Sequence, residues 1–411
     1  MTAEIGDTWI HGAGSDPIKV ARLRELLRLR MQWLADGRVQ RDDPAYSAFS
    51  RSLQLVTEHT WGMDEKTHLQ DYENYAAEAF QRARSQPNFR KFESSWAEQR
   101  RYIDQAVKAL GGGSLQDEAR AALAAIEPHR PDERNWTRVD PYQPFGAGRY
   151  VFGFNDSGAL AYLRDHTSKR TLADPRHTLG QLLYQTFSEA DYDRFYRQYI
   201  VHKRRTRFWS VADFTKPDMG AAAEAGEWLP KLERLYIHTG ETEERFLLSL
   251  SFPGRPVSQF GAPAEAFVEL CVPLEGSEIR FDLQWFDKSA CRLPEAIWFS
   301  FDPKTRPGGT WEIEKLGAWI SPLDVVRKGN RHLHASGRGV RWQRDGQGFD
   351  FESLDAPLVA PGQRSLLDFN NRQPAMSKGV HFLLLDNLWG TNFPMWFGED
   401  ARFRFTVKLS A

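Results

Sequence analysis

The chain has 411 residues, with 54 Lys and Arg against 55 Asp and Glu, and a net charge of -1. This balance argues against a nucleic-acid-binding protein, which usually has a net basic surface. No apolar run approaches the roughly 20 residues that span a bilayer, and the opening residues lack the basic and apolar regions of a signal peptide. We therefore expect a cytoplasmic protein with no nucleic-acid or membrane partner.

The first quarter of the chain predicts amphipathic helices. Asp16-Pro17 and Asp43-Pro44 each place a capping Asp before a Pro at the first helical position, and apolar residues then recur at spacings of three and four. A third helix is predicted through Tyr72, Tyr75, Ala79 and Ala83. A fourth follows Pro87 and ends at a run of three glycines. Short loops favour an antiparallel helical bundle.

From about Asn135 the pattern changes to short runs rich in aromatic and β-branched residues, separated by turn residues. The runs predicted as strands are Tyr150–Phe154, Arg234–His238, Phe246–Leu250, Phe267–Val272, Ile279–Trp285, Ala296–Phe301 and Phe403–Leu409. Glu189–Tyr199 interrupts them as a short helix. This spacing is typical of a large antiparallel β-sandwich. The predicted fold class is α+β, with an arm at residues 1–15, a helical bundle at 16–127 and a β-sandwich at 135–411.

Two segments near the amino terminus carry residue types used in functional sites. The opening contains Asp7 and Trp9 beside Gly and His, which makes it a candidate functional segment. The alternative interpretation is an ordered amino-terminal arm in which Trp9 packs against the rest of the protein. The segment from Glu58 to His68 follows the second helix. His59 and Asp64 are of the types that bind zinc or another divalent cation, although the spacing matches no compact zinc motif. Ordinary helix-end electrostatics would explain the same charges.

A third segment, Asp386–Trp396, differs from a plain hairpin loop. Its substrate-binding candidates are two amides and two indoles, from Asn387, Trp389, Asn392 and Trp396. Indole faces and amide hydrogen-bonding groups are what a sugar site uses. The alternative is a packed loop that is held by its own Asn side chains.

Three further features are weaker candidates. Lys203-Arg204-Arg205 is predicted to be a solvated strand edge. His332 and His334 alternate, so both imidazoles would point to one face of a strand. Glu295 follows a Pro and is either catalytic or, more commonly for such a position, structural. No phosphate-binding loop, nucleophile elbow or dinucleotide fingerprint is present.

The opening and His59 resemble glycoside hydrolase family 38, the α-mannosidase group, and more closely a set of microbial and plant proteins related to it. In that family a Tyr-Trp-x-Gly segment followed by Ser-Arg-Pro leads into a three-helix bundle. Thr8-Trp9-Ile10-His11-Gly12 followed by Ser15-Asp16-Pro17 is similar. The family then carries His-His-Asp, whose second His binds zinc. Glu58-His59 matches this pair with Glu first, and Asp64 corresponds to the Asp after an insertion.

The resemblance implies a bundle followed by a supersandwich like that of sugar mutarotases. It also implies that an α/β barrel, which supplies the other zinc ligands and the Asp nucleophile, is missing before this chain. The expected function is then that of the carboxy-terminal part of a metal-dependent, retaining glycosidase. This part would contribute one metal ligand, His59, and carbohydrate contacts from Asp7, Trp9, Asp64 and the loop from Asn387 to Trp396. Zinc would bind well in the complete assembly, with the barrel as a domain or subunit, and the isolated chain would hydrolyse little, because zinc needs three or four ligands.

Two other functions stay open from the residues. The chain is alternatively a non-catalytic module that binds a carbohydrate or a partner protein. It is alternatively a lyase that acts on acidic sugars, for which the cations of residues 203–207 would suit uronates.

Overall fold

The computed structural model describes residues 3–58 and 61–410, with helices mainly before residue 126 and strands mainly after residue 136. Its α-helices are α1 His11–Ser15, α2 Pro17–Ala35, α3 Pro44–Val56, α4 Glu65–His68, α5 Ala77–Ala83, α6 Pro87–Lys108, α7 Ser114–Ala125, α8 Glu189–Tyr199 and α9 Lys203–Phe214. Isolated turns of 3₁₀ or π type are Glu133–Asn135, Gly220–Ala222, Pro256–Phe260 and Met376–Lys378. No described helix has both the length and the apolar character needed to cross a bilayer.

The strands complete an α+β fold, so the predicted fold class is confirmed. They are β1 Thr137–Val139, β2 Phe145–Ala147, β3 Tyr150–Phe154, β4 Leu160–Asp165, β5 Arg170–Ala173, β6 Leu179–Thr186, β7 Gly226–Trp228, β8 Lys231–Thr239, β9 Glu243–Ser251, β10 Glu265–Pro273, β11 Glu278–Phe286, β12 Glu295–Phe301, β13 Thr310–Lys315, β14 Ala318–Ile320, β15 His334–Ala335, β16 Gly339–Arg344, β17 Gln347–Ser353, β18 Leu358–Pro361, β19 Val380–Asp386 and β20 Ala401–Ser410.

The two predicted Asp-Pro helix starts are confirmed. The Asp16 carboxylate accepts a hydrogen bond from the Lys19 amide (3.1 Å) at the start of α2. The Asp43 carboxylate accepts one from the Ala45 amide (2.9 Å) at the start of α3. Each cap satisfies an amide that has no partner inside the helix. Buried side chains of α2, α3, α6 and α7, including Trp33, then form a separate helical core.

The predicted third helix is wrong in its first half. Tyr72 and Tyr75 lie in a loop, and the helical residues here are α4 and the short α5. The Asp71 carboxylate accepts hydrogen bonds from the amides of Glu73 (3.3 Å) and Asn74 (3.1 Å). This local turn competes with a helix for the same backbone donors.

The strands form two antiparallel sheets of ten strands each within the described residues. The first has the order β1-β8-β9-β10-β11-β20-β17-β16-β13-β14. The second has the order β15-β18-β19-β12-β6-β4-β3-β2, with β5 beside β4 and β7 beside β6. Phe299 on β12 contacts Phe281 on β11 and Phe405 on β20, with ring centroids 5.9 and 5.0 Å away. Because these pairs join the two sheets, the main core lies between them, as in a sandwich.

Charged side chains attach the helical bundle to the sandwich. Arg24 on α2 donates hydrogen bonds to the carbonyls of Leu354 (2.8 Å) and Ser353 (2.7 Å). Arg404 on β20 binds Glu25 on α2 (2.8 Å) and Asp355 (2.8 Å). The bundle therefore contacts the sandwich near the end of β17 and the middle of β20.

Two weaker predictions of local structure are wrong. Lys203-Arg204-Arg205 forms the first turn of α9 and is not a strand edge. His332 lies before the two-residue strand β15, which begins only at His334. Both imidazoles are buried, and burial lowers the pKa of His334 to about 4. The helix Glu189–Tyr199, in contrast, is confirmed as α8 and begins with a capping box at Ser188.

Candidate functional site

The three candidate segments of the sequence meet at one surface. The ring of Trp9 lies 5.7 Å from that of Trp389 and 5.9 Å from that of Phe393, measured between centroids. The amide of Glu65 donates a hydrogen bond to the carbonyl of Thr391 (2.8 Å). We call this surface the junction, and it is formed by residues 7–11, 61–66 and 387–396.

Trp9 presents an exposed aromatic surface at the junction. Its side chain is 44% exposed. Its ring stands nearly perpendicular to the rings of Trp389, Phe393 and Phe214, which hold it in place. Asp7 is also exposed, and its carboxylate accepts a hydrogen bond from the Trp9 amide (2.9 Å). A fixed and exposed indole is a surface on which a sugar ring can stack.

Asn387 shapes the backbone of the third segment. Its amide nitrogen donates to the carbonyls of Cys291 (2.9 Å), Leu293 (2.9 Å) and Met395 (3.2 Å). Its side-chain oxygen accepts from the amide of Glu295 (2.8 Å). The side chain is buried, so these four contacts occupy both its donors and its acceptor. Asn387 thus joins three stretches of chain beneath the junction.

The two Trp residues of the third segment are buried. Trp389 packs against His11 (5.0 Å between centroids) and Phe214 (4.6 Å). Trp396 packs against Trp96 (4.6 Å), and its indole nitrogen donates to Glu93 (2.8 Å). Asn392 is partly buried in the same loop. Trp389 therefore supports the ring of Trp9, whereas Trp396 packs in a separate aromatic cluster with α6.

Asp64 caps α4 and belongs to a small charged group. Its carboxylate accepts hydrogen bonds from the Thr67 amide (3.0 Å) and from the Lys66 ammonium (2.6 Å). Lys66 also binds Asp213 at the end of α9. Burial alone would raise the pKa of Asp64, but the contacts with Lys66 and Thr67 hold it below its ordinary value. Asp64 therefore remains an anion at neutral pH.

The predicted metal ligand, His59, lies outside the described residues. Among residues 3–58 and 61–410, no group of three or more His, Cys, Asp and Glu side chains is arranged to hold a metal ion. Zinc binding at His59 stays a prediction.

Two buried side chains with ionisable groups, Lys19 and His11, lie at the junction. The ammonium of Lys19 on α2 lies 3.5 Å from the centroid of the Trp61 ring. Burial lowers the pKa of Lys19 to about 8. His11 lies 3.7 Å from Asp386 at the end of β19, and both side chains are buried. The face of the Trp61 indole is a favourable partner for the desolvated ammonium of Lys19.

A buried ion pair lies behind Asn387. The Lys288 ammonium binds both carboxylate oxygens of Glu295 at 2.8 and 2.9 Å, and both side chains are 0% exposed. The Tyr184 hydroxyl donates to Glu295 (2.8 Å). Lys288 also donates to the carbonyls of Gly261 (3.0 Å) and Phe397 (3.1 Å). This network supports the structural interpretation of Glu295, because no substrate reaches a fully buried carboxylate.

Arg292 joins the sandwich to the segment that follows α4. Its guanidinium is 1% exposed, binds the carboxylate and carbonyl of Asp71, and lies 3.5 Å from Glu65. The rings of Tyr75 and Phe89 cover it, with centroids at 4.6 and 5.5 Å. Arg292 therefore ties α4 and the segment that follows it to the sandwich.

Comparison with known proteins places the chain in a family. Residues 13–280 match the model of a domain of unknown function, DUF5054. The chain belongs to the DUF5054 family. The matched residues of this DUF5054 chain include one junction segment, residues 61–66, and helix α9. A search of curated protein sequences finds no match.

A search of solved structures finds similarity only at low sequence identity. An α-mannosidase from Enterococcus faecalis V583 has 8% identity and a TM-score of 0.40, over 66% of the DUF5054 chain and 29% of its own. A family 38 glycosyl hydrolase from Enterococcus faecalis has 9% identity and a TM-score of 0.39, over 66% and 30% of the two chains. A galactose mutarotase-like protein from Lactobacillus casei has 10% identity and a TM-score of 0.32, over 65% and 99%.

The match spans about three tenths of the length of the two Enterococcus faecalis chains. Similarity at this level assigns no residue role to the DUF5054 chain.

The sequence did not single out Lys288, Arg292 or Tyr184 as parts of the site. A signal was present, since Lys288 and Arg292 each stand close to apolar residues in the short stretch between two predicted strands. Charged residues in such stretches are seldom fully buried unless they are paired. Their partners lie up to 221 residues away, so the pairing could not be read from spacing.

Glu65 should make the stability of the protein depend on pH. Burial raises the pKa of its carboxyl from 4.5 to about 7. Because the folded protein binds this proton more tightly than the unfolded chain, the stability from this group is fully present below pH 4.5 and is lost as the pH rises through about 7. We expect Glu65→Gln to remove this loss, making the variant more stable than the wild type at pH 8 by about 3 kcal/mol.

Urea unfolding at a series of pH values measures this difference. The control is Glu98→Gln, at an exposed position of α6, which changes the same charge and should leave the profile unaltered. A constant difference between Glu65→Gln and wild type from pH 4 to pH 8 would contradict the expectation.

Proposed function

We propose that this chain is a carbohydrate-binding part of a family 38-type glycosidase. The junction contacts the sugar, and a separate α/β barrel, as a domain or subunit, supplies the catalytic carboxylates. His59 would add one zinc ligand to those of the barrel. The convergence of the three candidate segments around the exposed ring of Trp9 carries the proposal.

The carboxylates of the junction suit substrate binding better than catalysis. Asp7 binds the Trp9 amide, Asp64 binds Lys66, and Asp386 lies beside His11. Carboxylates with these partners can orient hydroxyl groups and a metal ligand. They are poorly placed to act as nucleophile and acid, because retaining hydrolysis needs two carboxyls that flank the scissile bond. This pattern equally favours the second candidate, a module that binds a carbohydrate without cleaving it.

Exposed apolar side chains near Trp9 are an argument for a partner domain that docks there. Ile5, in the arm that carries Trp9, is 61% exposed, and Phe208, on the helix whose last residue Phe214 contacts Trp9, is 86% exposed. Large apolar side chains in contact with solvent are common at docking surfaces.

The cytoplasmic location expected from the sequence stays a prediction.

We expect Trp9→Ala to weaken binding of a neutral oligosaccharide by about tenfold, since it removes one exposed stacking surface. Isothermal titration with manno-, gluco- and galacto-oligosaccharides measures this. The matched control is Trp136→Ala, which removes an indole that packs on His238 beside edge strand β1. Equal affinities of the two variants, or no binding by the wild type, would contradict a sugar site at Trp9.

A second experiment tests whether zinc binding and hydrolysis require the separate barrel. The isolated chain should bind zinc weakly and hydrolyse aryl mannosides little, because His59 alone cannot complete a site of three or four ligands. Hydrolysis by the pure chain that a chelator abolishes would show that the active site is complete without a barrel. Loss of weak zinc binding in His59→Ala would support the role of that residue.

A further inference from the structure

The region from the end of α8 into α9 is strongly basic. Residues 194–207 contain six Lys and Arg and no Asp or Glu, in a chain whose net charge is -1. Arg194 and Arg197 pair with Asp191 (3.0 Å) and Asp193 (4.0 Å) on α8. The four cations of α9, by contrast, have no ion-pair partner in the described part of the chain. They are Lys203, Arg204, Arg205 and Arg207.

Three of these cations, Lys203, Arg204 and Arg205, border a depression in the surface. Its volume is about 640 Å³, and it lies between the end of α8 and the start of α9. The lining includes Arg197, His202 and the Lys203–Arg205 run. Concave surfaces of one sign of charge concentrate ligands of the opposite sign.

Helix α9 connects this basic depression to the junction. Its last residue, Phe214, contacts Trp9 with ring centroids 5.9 Å apart. The preceding residue, Asp213, binds Lys66. At a rise of about 1.5 Å per residue, Arg207 lies about 10 Å and Lys203 about 16 Å along the helix from Phe214. The Tyr199 hydroxyl and Thr8, 2.8 Å apart, tie the end of α8 to the same amino-terminal segment.

We infer that the strip from Lys203 to Trp9 binds an acidic glycan, a chain of sugars bearing carboxylates or sulfates. The inference rests on the proposed function in taking a carbohydrate, and it adds the class of sugar. Trp9 stacks on one sugar ring, and the cations of α9 bind the charged groups of the units that follow. Arg suits this task because its planar guanidinium binds a carboxylate or sulfate through two parallel hydrogen bonds.

Two other polyanions fit the charge less well. A nucleic-acid-binding surface usually belongs to a basic protein, whereas this chain is balanced. An anionic lipid surface would engage Phe208 and Val201, but the cations here surround a depression, and a membrane is met by a protruding apolar face. A basic depression at one end of α9, with an exposed indole in contact with the other end, fits an oligosaccharide.

The test compares an oligogalacturonate, a neutral gluco-oligosaccharide of equal length, a single-stranded oligonucleotide and phosphatidylserine vesicles. Isothermal titration is used for the first three and vesicle co-sedimentation for the last. We expect the oligogalacturonate to bind tightest and to weaken roughly tenfold when NaCl rises from about 50 to about 300 mM. Arg204→Gln combined with Arg205→Gln should weaken it by about tenfold or more.

The matched control combines Arg41→Gln with Arg90→Gln, which removes the same charge at exposed positions on the helical bundle. Arg204→Lys with Arg205→Lys retains the charge and should recover part of the affinity. Equal losses in the Gln double variants would overturn the inference, as would tighter binding of oligonucleotide or vesicles. Neutral binding that depends on Trp9, without preference for the acidic sugar, would also overturn it while leaving the proposed function intact.

Discussion

We expect Lys288→Met to lower the free energy of unfolding by about 3–5 kcal/mol. The substitution leaves Glu295 fully buried with a hydrogen bond from Tyr184 and no cation at contact distance. Removing one partner of a buried ion pair costs this much because the remaining charge has been taken out of water without compensation. The carbonyls of Gly261 and Phe397 also lose their donor. Chemical unfolding followed by circular dichroism measures the loss.

The double variant Lys288→Met with Glu295→Leu separates the pair from the packing around it. It should be less destabilised than the sum of the single variants, since no unpaired charge remains. The control is Lys304→Met, which breaks an ion pair to Asp174 (2.8 Å) whose Lys side chain is 48% exposed, and it should cost about 1 kcal/mol or less. Strictly additive losses in the double variant would show that the two buried charges do not stabilise one another.

Arg292→Met should also cost about 3–5 kcal/mol, with a local effect at the junction. It removes the partner of Asp71 and the cation near Glu65, while Met keeps much of the contact with Tyr75 and Phe89. Because Arg292 joins the segment after α4 to the sandwich, residues 65–75 and 388–392 should lose protection first. Hydrogen exchange read by mass spectrometry resolves these segments from the strands of the core.

The exposed Arg82, 74% accessible on α5, provides the control as Arg82→Met. It should change neither stability nor exchange appreciably. A uniform loss of protection through both sheets in Arg292→Met would mean that Arg292 stabilises the whole fold and does not specifically position the junction. Combining Arg292→Met with Glu65→Gln should recover part of the stability, since it removes the carboxylate left without its cation.

Local sequence signals predicted the elements that local interactions decide. The starts of α2 and α3 followed from Asp-Pro pairs, because a capping carboxylate and a Pro at the first helical position act within a single turn. The closing strand β20 followed from alternation, and its Phe403, Phe405, Val407 and Leu409 are all buried. The capping box at Ser188 likewise accounts for α8.

Predictions failed where distant contacts outweighed local preference. Tyr72 and Tyr75 have helical spacing to the residues that follow, yet they lie in a loop that Asp71 and Arg292 hold in a turn. The Lys203-Arg204-Arg205 run has no apolar pattern of its own, and it is helical because Phe214 at the other end of α9 packs on Trp9 and Trp389.

The sequence by itself determined the α+β class, the capped helices, the alternating strands and the residue types of the three candidate segments. Only the tertiary structure decided that these segments meet at one junction, that Trp9 stays exposed while Trp389 and Trp396 are buried, and that Asn387 is used to hold the backbone. It also decided the pairing of Lys288 with Glu295 and of Arg292 with Asp71. The physical reason is range, since capping and alternation act over a few residues, whereas burial and buried charge pairs depend on residues that only the complete fold brings together.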